Sequence, residues 1–204
     1  MLRDPSAEPA HDWNERVCAE CYTPNSCAKL LDADGRIRAV YNNYSKLSFD
    51  FGPTLHKWLE GNYPTLNGII INSGERAMAQ AYNHIIMPLA TERDRLTQTV
   101  WGVDDFKYRY GREPKGMWLP ECAVDTPTLE TLASCGIEYV ILAPSQCRAI
   151  VAESGAVETP GGANLDVTRP YRCELPSGRA MTGLFYHAGI PPDIAFGRLP
   201  ATRH

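Results

Sequence analysis

A glutamate, Glu121, directly follows an apolar, strand-like segment that also contains a tryptophan, Trp118. In β/α barrels, side chains at the C-terminal ends of the strands point into the mouth where substrate binds. A carboxylate is costly to remove from water unless it is paired or used in chemistry. Glu121 is therefore a candidate catalytic residue, beside an aromatic ring that can form the floor of a sugar pocket. The alternative is a solvated glutamate on the rim, just beyond a strand end.

Two further polar side chains lie near predicted strand ends. His84 precedes an apolar run, and Gln146 follows the strand that comes after Glu121. A histidine at this position can hydrogen-bond a sugar hydroxyl or stabilise a carboxylate, although such a residue is more often a structural group.

The strand-like segment at 115–120 belongs to a predicted strand–helix–strand unit, with the helix at 126–134 and the second strand at 137–142. Such a unit predicts a parallel sheet with a right-handed crossover. Glycines and prolines beyond residue 152 separate short strands, which indicates a β-rich excursion near the C-terminus. Other predicted elements are helices at 15–30 (capped by Asp12 and broken near 22–23), 55–60, 75–82 and 91–110, strands at 37–41, 46–51, 168–174 and 180–186, and an apolar strand or helix end at 66–72.

The composition is that of a globular protein, since 44% of the 204 residues are hydrophobic, 22% are charged and the net charge is −4. The slight acidity argues against a nucleic-acid partner, which requires clustered lysine and arginine. No apolar run approaches the ~20 residues of a membrane helix, so no membrane association is expected. Residues 1–12 lack the apolar core of a signal peptide, which makes a cytoplasmic location the default expectation, although a truncated start would hide a leader.

Seven cysteines are scattered along the chain, and their odd number indicates reduced thiols rather than a disulfide framework. Cys18 and Cys21 form a C-x-x-C motif with Cys27 close behind, but no second ligand pair follows at a comparable spacing. We therefore expect Cys18 and Cys21 to be buried small side chains on one face of the predicted helix at 15–30.

The segment from Ala79 to Leu89, which contains His84, resembles the histidine-containing segment of glycoside hydrolase family 57. Other motifs continue the resemblance in chain order along nearly the whole sequence. They are Thr97-Gln98 with Trp101-Gly102, Gly116 to Glu121 and Ile141 to Gln146, and the segments Ser48 to Leu55 and His11 to Glu15 also look like this family.

The resemblance implies an incomplete (β/α)₇ barrel and an enzyme that acts on α-glucans such as starch and glycogen with retention of configuration. It makes Glu121 the nucleophile, one of the two carboxyl groups that a retaining enzyme holds about 5–5.5 Å apart. Trp118 would pack near the reacting sugar, and His84 would contact that sugar or the nucleophile. Trp13 and Gln146 are the other substrate-binding residues implied. No metal or cofactor is required.

Two departures from the family pattern concern the catalytic machinery. The family's first strand carries a His-Gln-Pro-type motif, and this chain begins after that point. The family's acid/base aspartate belongs to a motif downstream of His204, and Asp193 precedes that motif and is not assigned the role. We therefore expect residues 1–204 to be a single partial catalytic domain, a fragment that can be inactive by itself.

Two other functions stay open at this point. A carbohydrate-binding remnant would keep Trp118 and His84 but lack the acid. A metal-dependent enzyme similar to polysaccharide deacetylases would need an aspartate and two spaced histidines on zinc. No pair of histidines has helical i, i+4 spacing, the five being His11, His56, His84, His187 and His204. The sequence does not distinguish hydrolysis, branching and transglycosylation, and it leaves the oligomeric state open.

Overall fold

The structure, a computed structural model, describes residues 3–190, and the chain divides into two compact units. The first unit holds the chain up to Asn83 together with Gly102–Pro114, and the second holds His84–Trp101 together with the chain from Lys115 onwards. Between residues 3 and 190, no helix is both long enough and apolar enough to cross a membrane. The single domain expected for residues 1–204 remains a prediction.

The second unit is built on a four-stranded mixed sheet. Strands β5 (Gly116–Trp118) and β6 (Tyr139–Leu142) are parallel and are joined by helix α6 (Thr126–Ser134). Strand β10 (Ala180–Phe185) pairs with β6 in parallel, and β9 (Tyr171–Glu174) pairs with β10 in an antiparallel arrangement. The strand order is β5-β6-β10-β9. The predicted strand–helix–strand unit and its parallel pairing are therefore confirmed.

Local signals at both ends explain why α6 forms where the sequence places it. The side chain of Asp125 accepts a hydrogen bond from the Thr128 amide at 2.8 Å, which makes Asp125 the N-cap. Pro127 lies in the first turn, where its missing amide proton costs nothing. Gly136 follows the helix with a φ of 83°, and Leu132 is fully buried against the unit's core.

The first unit contains the parallel strand pair β3 (Phe49–Asp50) and β4 (Ala77–Gln80), and helices α3 (Pro53–Asn62) and α4 (Pro64–Asn72) lie between them in the chain. The apolar run at 66–72 is thus helical. One core cluster holds these elements together, and its rings pack edge to face, as Tyr44 and Phe49 do at 5.2 Å between centroids. Its buried members are Cys18, Tyr44, Phe51, Leu59, Leu66 and Ile70.

The predicted helix at 75–82 is wrong. A 3₁₀ turn at Gly74–Arg76 leads into β4, whose residues Ala77, Met78 and Ala79 are buried. Alanine and methionine favour a helix locally, but burial within a parallel strand pair overrides that preference.

The predicted helix at 15–30 is shorter than expected and broken. Helix α1 (Trp13–Val17) continues through a π-helical turn at Cys18–Tyr22 into α2 (Thr23–Ser26). The chain then enters strand β1 (Ala28–Leu31), which pairs antiparallel with β2 (Ile37–Tyr41). Cys18 is buried but Cys21 is exposed, so the expected shared buried face is wrong.

The remaining elements complete the description of residues 3–190. Helix α5 (Glu92–Tyr110) begins in the second unit and ends in the first. In the second unit, strands β7 (Ile150–Val151) and β8 (Val157–Glu158) form an antiparallel ribbon, and the short helix α7 (Gly161–Asn164) follows. The β-rich texture expected after residue 152 is present in β8, β9 and β10.

Candidate active site

Glu121 lies in a tight turn just past the C-terminal end of β5. The backbone of Glu121 has a φ of 56° and a ψ of 19°, and Cys122 has a φ of 52°. They are the only two non-glycine residues with positive φ in the part of the chain that the structure describes. A side chain in this left-handed region costs about 1–3 kcal/mol, and such strain persists only where the surroundings enforce it.

Hydrogen bonds and burial hold this turn in place. The Cys122 amide donates to the Leu119 carbonyl at 2.9 Å, and the Ala123 amide donates to the Pro120 carbonyl at 3.0 Å. Leu119 is fully buried, and Pro120 and Cys122 are also buried. The backbone is thus anchored in the core while the Glu121 side chain points outward with 70% of its surface exposed.

His84 is the closest polar partner found for this carboxylate. Its Nε2 lies 3.0 Å from Glu121 Oε1, and its side chain is 64% exposed. The segment that carries His84 is fixed by Met87, which is fully buried and whose carbonyl accepts a hydrogen bond from the buried Arg95 at 3.4 Å. The structure therefore brings together the two residues that the sequence selected from separate segments.

Gln146 also belongs to this site, but its amide contacts backbone atoms. Its Nε2 donates to the Cys122 carbonyl at 2.6 Å, and its Oε1 accepts from the Ala143 amide at 2.8 Å. Both polar atoms of the side chain are therefore engaged next to the Glu121 turn. The substrate contact that the resemblance implies for Gln146 stays a prediction.

The two tryptophans selected from the sequence lie in different units. Trp118 ends β5 and is half-buried, between the fully buried Met117 and Leu119, so its ring belongs to the opposite face of the strand. Trp13 is in the first unit and is 47% exposed. Its Nε1 donates to Ser6 Oγ at 2.9 Å, and the Arg16 guanidinium lies 5.0 Å from its ring centroid.

The sequence reasoning missed a polar pair in the first unit. Gln80, the last residue of β4, donates from Nε2 to Oδ2 of Asp50, the last residue of β3, at 2.5 Å. Burial raises the pKa of Asp50 above its ordinary value, against the lowering effect of the Gln80 hydrogen bond. The two residues are 30 positions apart in the chain, and no local sequence pattern indicates a contact between the ends of two strands.

An exposed carboxylate held by a histidine can act as a nucleophile or as a general base. Among residues 3–190, no group of three or more histidine, cysteine, aspartate or glutamate side chains is placed to hold a metal ion. Asp193, the aspartate considered and not assigned in the sequence, lies outside the described residues.

Comparison with known proteins relates this chain to carbohydrate-active enzymes. The sequence model of glycosyl hydrolase family 57 matches residues 17–187. Alpha-amylase 1 of Dictyoglomus thermophilum is 28% identical over 101 residues, which is 47% of this chain and 15% of that protein. A probable 1,4-alpha-glucan branching enzyme of Mycobacterium tuberculosis is 30% identical over 87 residues, which is 42% of this chain and 16% of that protein. The matched regions are thus a small part of these longer relatives.

Solved structures share the fold. A maltose-forming exo-type amylase from Pyrococcus sp. ST04 superposes with a TM-score of 0.65 at 16% identity, covering 93% of this chain and 29% of the other. The 4-alpha-glucanotransferase from Thermococcus litoralis gives a TM-score of 0.59 at 19% identity, covering 76% of this chain and 24% of the other. At these identities the likeness concerns the fold.

Proposed function

The chain belongs to glycosyl hydrolase family 57, and on this premise we propose that it is part of a retaining enzyme that hydrolyses or transfers α-glucan chains. The observation that carries the proposal is the carboxylate of Glu121, exposed beyond a strand end and 3.0 Å from His84 Nε2. The α-glucan substrate class is supported by the names of the relatives, which include an amylase and a branching enzyme.

In the proposed reaction, a Glu121 oxygen attacks the anomeric carbon of the glucan and forms a glycosyl ester as the leaving sugar departs. Water or the hydroxyl of another sugar then attacks the ester, so that two inversions give net retention. His84 holds the attacking carboxylate in one orientation, and the Trp118 ring packs near the reacting sugar. A second carboxyl group must protonate the leaving oxygen.

We also propose that the parallel strands belong to an incomplete (β/α)₇ barrel whose mouth contains Glu121. The parallel pairing of β5 with β6 and of β6 with β10 supports this arrangement, as does the position of Glu121 after the C-terminal end of a strand. The cytoplasmic location and the lack of a nucleic-acid or membrane partner remain predictions from composition. The protein uses no cofactor in this proposal.

The proposal is tested with α-maltosyl fluoride, because fluoride leaves the anomeric carbon without being protonated by an acid residue. The release of fluoride is measured with an electrode, and the first-formed anomer of the product is identified by ¹H NMR. We expect fluoride release that depends on Glu121 and an α-configured first product. A β-configured first product would overturn the retaining mechanism.

The matched control is Glu153→Gln, which removes an exposed carboxylate elsewhere in the second unit. We expect Glu153→Gln to release fluoride at the wild-type rate and Glu121→Gln to release none above background. Binding of maltoheptaose by calorimetry without any fluoride release would instead indicate a carbohydrate-binding protein.

A further inference from the structure

The turn that carries Glu121 has no glycine or asparagine to favour its conformation. Two consecutive side-chain-bearing residues, Glu121 and Cys122, adopt φ values of 56° and 52°. Residues of these types prefer the right-handed or extended regions, so an isolated segment of this sequence would leave the left-handed conformation. Some contact outside the turn must therefore stabilise it.

The side chain of Gln146 supplies that contact. Its amide bridges two backbone groups from separate segments, because Nε2 donates to the Cys122 carbonyl at 2.6 Å and Oε1 accepts from the Ala143 amide at 2.8 Å. The direction of the Cys122 carbonyl depends on the backbone dihedrals of that residue. A donor fixed at this carbonyl thus favours the left-handed turn over its alternatives.

Gln146 is itself held in a supported segment. It ends the 3₁₀ turn Pro144–Gln146, in which Pro144 is buried. Helix α7 packs against this turn so closely that a Cβ atom at Gly162 would lie 3.0 Å from the Cα and the amide nitrogen of Ser145. The backbone that presents Gln146 therefore has little freedom to move away from Cys122.

We propose that Gln146 is a positioning residue that holds the Glu121–Cys122 turn in its left-handed conformation and so directs the Glu121 carboxylate towards His84. Its action on the turn is independent of any activity. Its effect on catalysis rests on the function proposed above for Glu121.

The conformational part is tested by hydrogen exchange in the whole chain. The Cys122 and Ala123 amides are bonded within the turn, and we expect Gln146→Met to speed their exchange about two- to tenfold, which corresponds to the loss of one hydrogen bond. Ser145→Ala is the control, since it truncates the exposed neighbour and leaves the bridge intact. Amides in α6 should exchange at the wild-type rate in both variants, which separates local loosening from general unfolding.

A second variant keeps the test informative if Gln146→Met folds poorly. In Gln146→Glu, the ionised carboxylate still accepts from the Ala143 amide but repels the Cys122 carbonyl. Once protonated, near the ordinary glutamate pKa of about 4.3, it can donate to that carbonyl. We expect the protection factors of the turn amides in this variant to be low at pH 7 and to approach wild-type values at pH 4.

The catalytic part is tested with 5-fluoro-α-D-glucosyl fluoride. A Glu121 oxygen forms a bond to the anomeric carbon while the carbon–fluorine bond breaks and fluoride leaves with the electron pair. We expect Gln146→Met to lower the maximal labelling rate kinact about 10- to 100-fold, as misplacement of a reacting group does, and to change KI less than about twofold.

The two measurements separate the possible failures. Unchanged exchange in the turn would overturn the positioning role. A raised KI with an unchanged kinact would overturn the catalytic part and indicate that Gln146 contacts the sugar. Absence of labelling in the wild-type chain would refute the function proposed for Glu121, and the exchange experiment would still decide whether Gln146 holds the turn.

Discussion

His84 Nε2 and Glu121 Oε1 lie 3.0 Å apart although 37 positions separate the two residues in the chain. Each side chain is largely exposed, at 64% and 70%, while the backbone beside each is anchored by buried neighbours, Met87 and Leu119. The pair is therefore accessible to a substrate, and buried neighbouring residues fix the backbone that carries it, which is the arrangement that a positioned nucleophile requires.

Replacing His84 tests whether this contact matters for the reaction. We expect His84→Ala to lower the rate of fluoride release from α-maltosyl fluoride about 10²-fold, because the carboxylate loses the group that orients it. The free energy of unfolding should change by less than about 0.5 kcal/mol, since the side chain is exposed. His187→Ala, which removes another exposed histidine in the second unit, should leave the rate unchanged. A wild-type rate in His84→Ala would contradict the role.

The left-handed backbone at Glu121 predicts an opposition between stability and activity. Glycine adopts a φ of 56° without a steric penalty, so Glu121→Gly should raise the free energy of unfolding by about 1 kcal/mol while abolishing fluoride release. Glu153→Gly is the control, because Glu153 does not have a positive φ and glycine there adds only chain flexibility. We expect that variant to be about 0.5–1 kcal/mol less stable, as measured by urea unfolding. Equal losses in both variants would show that the turn is unstrained.

Part of the second unit could be predicted from sequence because the signals are local. The proline in the first turn and the glycine after the end define α6 within a few residues. The apolar strands on either side then follow from their burial. In the first unit, by contrast, the helix-favouring composition of 75–82 led to a wrong prediction. The decisive interaction is the pairing of β4 with β3, in which Ala77 lies beside Phe49, 28 positions earlier in the chain.

The close approach of β5 and β6 predicts that Gly116 cannot be enlarged. A Cβ atom at Gly116 would lie 2.2 Å from Cζ of Tyr139, so either the ring or the strand must move. We expect Gly116→Ala to lower the free energy of unfolding by about 1–3 kcal/mol. Gly68→Ala, in helix α4 with no atom within 4 Å of the added carbon, should instead raise it by about 0.5–1 kcal/mol. Thermal unfolding of both variants checks the contrast, and equal shifts would contradict it.

The buried His56 predicts a pH dependence of stability. Its Nδ1 lies 2.7 Å from Asn67 Oδ1 and its Nε2 lies 2.8 Å from the Tyr110 hydroxyl, which suits a neutral ring. Burial lowers the pKa of His56 below its usual value of 6.5. At low pH the unfolded chain therefore binds a proton at His56 more readily than the folded chain does. The stability that the neutral His56 ring contributes is fully present above pH 6.5 and is lost as the pH falls through the folded pKa.

The contribution of His56 is isolated by comparison with His56→Gln, which does not titrate. Between pH 6.5 and 5.5 the wild-type free energy of unfolding should fall more steeply than that of the variant, by up to about 1.4 kcal/mol per pH unit. Urea unfolding at pH 7.5, 6.5 and 5.5 gives the two slopes. Parallel slopes would mean that His56 titrates alike in the folded and unfolded chains.

The candidate site could be predicted in its residues but not in its geometry. The sequence selected Glu121 and Gln146 because each follows a predicted strand, and His84 because it precedes an apolar run in a segment that resembles the family. The left-handed turn contains no glycine, which is the residue that would have indicated a positive φ in the sequence. The bond from Gln146 to the Cys122 carbonyl joins segments 24 residues apart and depends on how both loops fold. Side-chain to backbone contacts of this kind have no periodic or local signature in a sequence.

The most direct measurement is to locate the covalent label left by 5-fluoro-α-D-glucosyl fluoride. The labelled chain is digested, and the modified residue is identified by tandem mass spectrometry. The account predicts a single fluoroglucosyl ester on Glu121 in the wild-type chain and no label in Glu121→Gln. An ester on another carboxylate, or a wild-type chain that remains unlabelled, would contradict the assignment of Glu121 as the nucleophile.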